Sequence, residues 1–284
     1  MEWIERLNEA INYLEEHITE EIDYEQVSKT ACCSSYHFQR MFLYLANVPL
    51  SEYIRRRKMS LAAVDLQSGN EKIIDIAMKY GYASPTAFNR AFQSVHGIAP
   101  SLAKEQGASL KSFPPISFKM TVKGVEEMNF RIEKKDAFRI VGVVEPLHKE
   151  MEKNFEIVPK MWENAVASGT IQKLTAMMTG QPTGLLGVCS AHEERRYFIA
   201  VASTQETDDT LEQYTVSAFT WAIFPGEGQC PGAIQELERR IITEWLPTSG
   251  YEYDNGPDVE VYLTPLSQNA KFEVWIPVTK KTSI

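Results

Sequence analysis

The sequence predicts a multidomain chain in which an all-α bundle with two helix-turn-helix motifs precedes an α+β domain built on one antiparallel sheet. Three observations predict it. The stretch SSYHFQRMF, Ser34–Phe42, is echoed fifty residues later by SPTAFNRAF, Ser84–Phe92, and such self-similarity marks a repeated supersecondary unit. Beyond Gln106 the hydrophobic period changes from helical to alternating. The order strand-helix-strand-strand then occurs twice. At 284 residues the chain has room for two cores, and the expected divisions are 1–106, a linker over 107–125, and 126–284.

The first helix is announced by Ile4, Leu7, Ile11, Leu14 and Ile18, an apolar stripe with Glu2, Glu5, Glu9, Glu15 and Glu16 on other faces. Asp23 can cap a short helix over Tyr24–Thr30, Ala31, Cys32 and Cys33 make a turn, and Ser34 or Ser35 caps a helix over Tyr36–Leu45. PLSEYIRRRKMSLAAVDLQSG follows as one helix capped at Ser51 and stopped near Gly69, about 24 Å long at roughly 1.5 Å per residue. The second copy has a helix over Asp75–Tyr80, Gly81 for a turn position with positive φ, and Ser84-Pro85 opening the next helix. Aligned, Phe38 falls on Phe88, Arg40 on Arg90, Phe42 on Phe92, Gln39 on Asn89 and Ala31 on Gly81.

Phe38 and Phe42, like Phe88 and Phe92, lie four apart and face a core. The intervening residues, Ser35, Tyr36, His37, Gln39 and Arg40 in one copy and Thr86, Asn89 and Arg90 in the other, are expected to look outward. These types suit base edges: Arg reads guanine, Gln or Asn reads adenine, and aromatic or methyl groups touch the thymine methyl. Two such helices on a stiff strut can enter successive grooves, about 34 Å apart. Arg55 and Arg56 are expected on phosphates, while Arg57 is read either as a DNA contact or as an ion pair with Asp75. The bland alternative, a helical bundle, explains the four phenylalanines but not the matched polar positions.

In the second region FRIEKKDAFRIVGVVEP alternates, EMEKNFEIVPKMWENAVASG reads as a helix interrupted or begun again near Pro159, and GLLGVCSA and RRYFIAVAS read as strands. TVSAFTWAIF as a strand, CPGAIQELERRIITEWLP as a helix, and VEVYLT and KFEVWIPV as strands repeat the order. Two such units make one sheet with both helices on one face, leaving the other open to a ligand. Alternation sends Glu273 and Trp275 one way from Phe272, Val274 and Ile276, and gives Tyr262 the face of Glu260. Glu273, Trp275, Tyr262, Phe198, Trp162 and Trp221 are the candidate lining of a site for a flat or lipophilic cation, with cation-π attraction of about 0.5–2 kcal/mol per ring. Taken singly, Trp162 and Trp221 are better explained by a core than by a ligand, and the bland reading of Glu273 is a lysine partner in water.

Net charge is −9, shared between both regions, so any DNA-binding face has to be local. Four cysteines form neither a CxxC pair nor a disulfide framework, and five scattered histidines give no metal pattern, so no metal and no cofactor are expected. The acidic, amphipathic start and the lack of a long apolar run lead to a cytoplasmic expectation with no membrane partner.

SSYHFQRMF, YIRRRKM and IIDIAMKYGYASPTAFNRAFQSVHGIAP resemble the AraC/XylS family of transcription regulators over residues 1 to about 105. EWLPTSGYEYDNGPDVEVY and FEVWIPV resemble the GyrI-like effector-binding domain over about 126 to 280, and the order of the two is similar to the Rob subgroup. The resemblance implies a regulator whose partners are promoter DNA, a small-molecule effector and RNA polymerase, with Glu273 at the family's acid position; no nucleophile, triad or metal pattern marks an enzyme, and none is expected. Gln93 and Leu102-Ala103 depart from the first pattern, which implies fewer phosphate contacts. Two alternatives stand beside it: a GyrI-like hydrolase of electrophiles using Glu273 as general base, and a protein-sequestering module.

Overall fold

The computed structural model describes residues 3–119, 127–190, 195–264 and 268–281. The chain forms two compact units, Met1–Thr121 and Val122–Ile284.

In the first unit α1 (Trp3–Glu16) buries Leu7, Ala10, Ile11 and Leu14, the stripe the spacing requires. α2 (Tyr24–Thr30) is capped by Asp23, whose side chain accepts from the Glu25 and Gln26 N–H groups. α3 (Ser35–Ala46) is capped by Ser34, and α4 (Leu50–Ser68) opens at Pro49, with Ser51 inside its first turn rather than capping it. α5 (Ile73–Lys79) and α6 (Pro85–His96) repeat α2 and α3, α6 being capped by Ser84. The two turns differ by one residue. Gly81 takes φ +84° after α5, whereas the left-handed position after α2 is Cys32 at φ +56°, so Cys32 and not Ala31 is the counterpart of Gly81. Phe88 and Phe92 join Met59, Leu66, Ile76 and Tyr80 in one core, and Phe42 packs on Tyr53 with ring centroids 5.3 Å apart.

Residues 110–118, expected to belong to a linker, lie docked on the helices of this unit. Asn8 holds the Phe118 backbone by both its N–H and its carbonyl, and the Phe118 ring meets Phe42 edge-on at 5.8 Å. The Gly/Ser/Pro composition marks absence of regular structure, not absence of partners.

The second unit carries β1 (Arg131–Lys135), β2 (Phe138–Pro146), α7 (Met151–Ala167), α8 (Thr170–Ala176), β3 (Leu185–Cys189), β4 (Arg196–Ala202), β5 (Glu212–Val216), β6 (Phe219–Gly228), α9 (Gly232–Arg240), β7 (Tyr251–Tyr253), β8 (Asp258–Tyr262) and β9 (Ala270–Lys280). The sheet order is β1-β6-β9-β8-β3-β4-β2-β5, with β7 on β9. Thus β2-α7-β3-β4 and β6-α9-β8-β9 are the two strand-helix-strand-strand units, joined where β3 pairs antiparallel with β8. α7 runs unbroken through Pro159, against the expected interruption. TVSAFTWAIF is not one strand: it breaks between Val216 and Phe219, so β5 pairs with β2 while β6 pairs with β1 and β9.

That break shapes the sheet. Two short links, 136–137 and 217–218, join strands at opposite ends of the strand order, which forces the sheet to curl back on itself. Its inner face is a closed core of Phe198, Trp221, Ile223, Val259 and Trp275, all at most 4 % exposed. The outer face receives α9: Phe224, Phe272, Val274 and Ile276 pack with Ile234 and the following Trp245. The face expected to be left open for a ligand is therefore the filled one, because curling lets a sheet cover its own face without a second layer.

Candidate nucleic-acid interface and effector site

The two equivalent helices of the first unit differ in exposure. On α6 Thr86 and Arg90 are exposed and Asn89 is half-buried, with Phe88 and Phe92 fully inside. On α3 Tyr36 is half-buried, and Ser35, His37, Gln39 and Arg40 are only 4–6 % exposed, less than the outward expectation implies. α3 thus buries polar side chains as well as the Phe38/Phe42 stripe. Gln39 donates to the Ser35 hydroxyl at 3.4 Å, and the Arg40 guanidinium lies over the Tyr36 ring at 5.5 Å.

On α4 the basic run divides by function. Arg55 and Arg56 both reach Glu52 at 2.6 Å with side chains 39–40 % exposed, and Arg55 also donates to Ser94 of α6 at 2.6 Å. Exposed pairs of this kind are worth about 0–1 kcal/mol, so a phosphate can compete for either guanidinium. Arg57 is buried and pairs with Glu15 of α1 at 2.7–3.0 Å. The expected Asp75 partner is exposed on α5, and the acid that answers Arg57 comes from forty-two residues away, beyond any local pattern. Glu15 also accepts from Tyr53 at 2.6 Å, and burial followed by that hydrogen bond pushes the Tyr53 phenol up.

In the second unit the candidate lining falls into two groups on opposite faces. Phe198, Trp221 and Trp275 belong to the inner core. Glu273 shares that face at its rim, but Arg131 grips it through two hydrogen bonds of 2.8 and 3.0 Å, and the Trp275 indole N–H adds a third at 2.8 Å. Arg131 turns its Nε to Glu133 at 2.6 Å. The Arg131 charge offsets that of Glu273, so a cation binding there has to displace or share the guanidinium. Glu273, the acid expected to meet the effector, is thus found in an ion pair with Arg131.

The other group gathers on the outer, helix-bearing face. Glu260 of β8 accepts from the Tyr197 and Tyr262 hydroxyls, each at 2.9 Å. Trp162 of α7 donates its indole N–H to Tyr197 Oη at 3.1 Å and meets the Tyr262 ring edge-on at 4.9 Å. Gly187 of β3 lies opposite Glu260, and a Cβ there would collide with Tyr197 Oη and Glu260 Oε2, so glycine is what lets the two meet. Burial first and the Glu260 charge second hold both phenols well above their usual range, so they remain donors. Glu260 itself is half-exposed. The result is a carboxylate oriented by two hydroxyls among three aromatic rings, a geometry that suits a cation with an apolar body. Strand alternation already puts Glu260 beside Tyr262; what no local pattern supplies is that Arg131 answers Glu273.

Among the described residues no helix is long and apolar enough to cross a membrane.

The family model for integron-associated effector-binding proteins matches residues 131–278, and a helix-turn-helix family model matches residues 27–106. The transcriptional activator AarP of Providencia stuartii is 35% identical over 96 residues, 34% of this chain and 71% of that protein. The regulatory protein SoxS of Salmonella typhimurium is 38% identical over 91 residues, 32% of this chain and 85% of that one. An integron cassette protein from the mobile metagenome of Vibrio cholerae has a solved structure, 17% identical, with a TM-score of 0.40, covering 53% of this chain and 95% of that one.

Proposed function

Since the chain belongs to the integron-associated effector-binding family through residues 131–278 and carries an AraC-type helix-turn-helix region, we propose that it is a transcription regulator whose second unit senses a lipophilic, aromatic cation. The observation that carries the ligand class is the Glu260 cluster: a half-exposed carboxylate held by Tyr197 and Tyr262 beside Trp162. Promoter DNA is the partner of the first unit: Thr86, Asn89 and Arg90 of α6 read one groove, the equivalent helix α3 enters the next, and Arg55 and Arg56 sit on phosphates. Contact with RNA polymerase belongs to the same proposal. Ligand acts on DNA binding only insofar as it binds two states of the protein with different affinity.

Titration with tetraphenylphosphonium, followed by tryptophan fluorescence, tests the ligand site. Glu260→Gln keeps the shape and removes the charge; it should weaken binding about tenfold or more, roughly 1.4 kcal/mol per decade. Glu273→Gln should leave affinity within about twofold, a change of less than 0.5 kcal/mol. The reverse ranking, or no binding by the wild type, contradicts the assignment.

A further inference from the structure

Residues 110–118 are anchored backbone group by backbone group, and the anchors come from three helices. His96 of α6 accepts the Lys111 N–H on Nδ1 at 3.1 Å, its Nε2 facing the Met59 carbonyl at 3.0 Å. Ser60 of α4 accepts the Phe113 N–H at 2.9 Å, and Arg57 donates to the Phe113 carbonyl at 2.6 Å. Tyr53 of α4 accepts the Ile116 N–H at 3.2 Å. Asn8 of α1 closes the far end, accepting from the Phe118 N–H at 2.7 Å and donating to its carbonyl at 3.0 Å.

Apolar anchors alternate with these bonds. Leu110 and Phe113 pack against the core that holds Phe88 and Phe92, the Arg56 guanidinium covers the Phe113 ring at 5.3 Å, and Phe118 meets Phe42. One end of the segment is thus fixed to the core behind α6 and the other to the core behind α3. Side chains of fixed length on particular N–H and carbonyl groups set its register, because a slip of one residue would break every one of these bonds. A slack tether would leave those groups to water.

We infer that residues 110–118 form a brace that fixes the position of one helix-turn-helix relative to the other, as a second connection beside α4. Two reading elements reinforce each other only when their separation matches the site, and stiffening that separation raises the effective concentration of the second contact once the first is made. The brace also makes the segment leading to the sensing unit part of the DNA-reading unit. Its consequence for promoter binding rests on the DNA reading above; its existence as a brace does not.

The test uses the full chain. Hydrogen exchange should show the Lys111, Phe113, Ile116 and Phe118 amides protected in the free wild-type protein; exchange at unstructured-peptide rates overturns the brace whatever DNA does. Asn8→Ala and, independently, Ser60→Ala are then compared with wild type on a two-groove site and on the same DNA with one half scrambled. The brace predicts that each variant loses about tenfold on the intact site and less than about twofold on the scrambled one. Equal losses on both, in variants whose melting transitions remain cooperative, overturn it. A wild type that does not distinguish the two DNAs counts against the DNA reading instead, and leaves the brace to stand or fall on exchange.

Discussion

At the scale of single residues, the protein repeatedly uses one side chain to fix another's chemistry. His96 is 5 % exposed and held neutral: Nδ1 accepts from Lys111 N–H, so a proton there would set two donors face to face. Burial first, and then the nearby Lys111 charge, pull its pKa below the usual value of about 6.5, against the pull of the Met59 carbonyl. A base whose folded pKa is depressed contributes stability that is complete above the unfolded pKa and is lost as pH falls through the folded value. Melting of the wild type between pH 7.5 and 5 should therefore fall more steeply than melting of His96→Gln; parallel curves would mean that His96 does not titrate against folding. Cys32 is the opposite case, a residue at positive φ where its counterpart is Gly81. No spacing rule discloses that, since the turn after α2 is one residue shorter than the repeat implies.

At the scale of elements, the repeated helices show what a sequence pattern carries and what it omits. The Phe38/Phe42 and Phe88/Phe92 stripes correctly place α3 and α6 against cores, because an i, i+4 apolar pair has one side of a helix to fill. The pattern is silent on whether the remaining faces are covered, and there α3 and α6 part company: Arg90 is exposed, while Arg40 is 4 % exposed. Arg90→Ala should accordingly cost about 1–3 kcal/mol at a specific site and relax preference at one base pair. Equal loss on random DNA, measured by competition at fixed salt, would reduce Arg90 to a phosphate contact. In the second unit, alternation fixes which residues share a face, so Glu260 with Tyr262 and Glu273 with Trp275 were legible. Which face is open was not, because it follows from the breaks at 136–137 and 217–218 that curl the sheet.

At the scale of the whole molecule, the division into a helical reading unit and a curled-sheet sensing unit was legible in the change of period and in the two repeats. Long-range ion pairs were not: Arg57 with Glu15 and Arg131 with Glu273 join residues 42 and 142 positions apart, and they decide which charges remain available to a partner. The two units act as one regulator only if occupancy of one alters the affinity of the other, and that coupling is reciprocal. The direct measurement is the dissociation constant for promoter DNA with and without saturating tetraphenylphosphonium, in wild type and in Glu260→Gln. The account predicts a change of at least about fivefold in the wild type and none in the variant. An identical constant in the wild type with the cation bound, or an equal shift in both proteins, would contradict it.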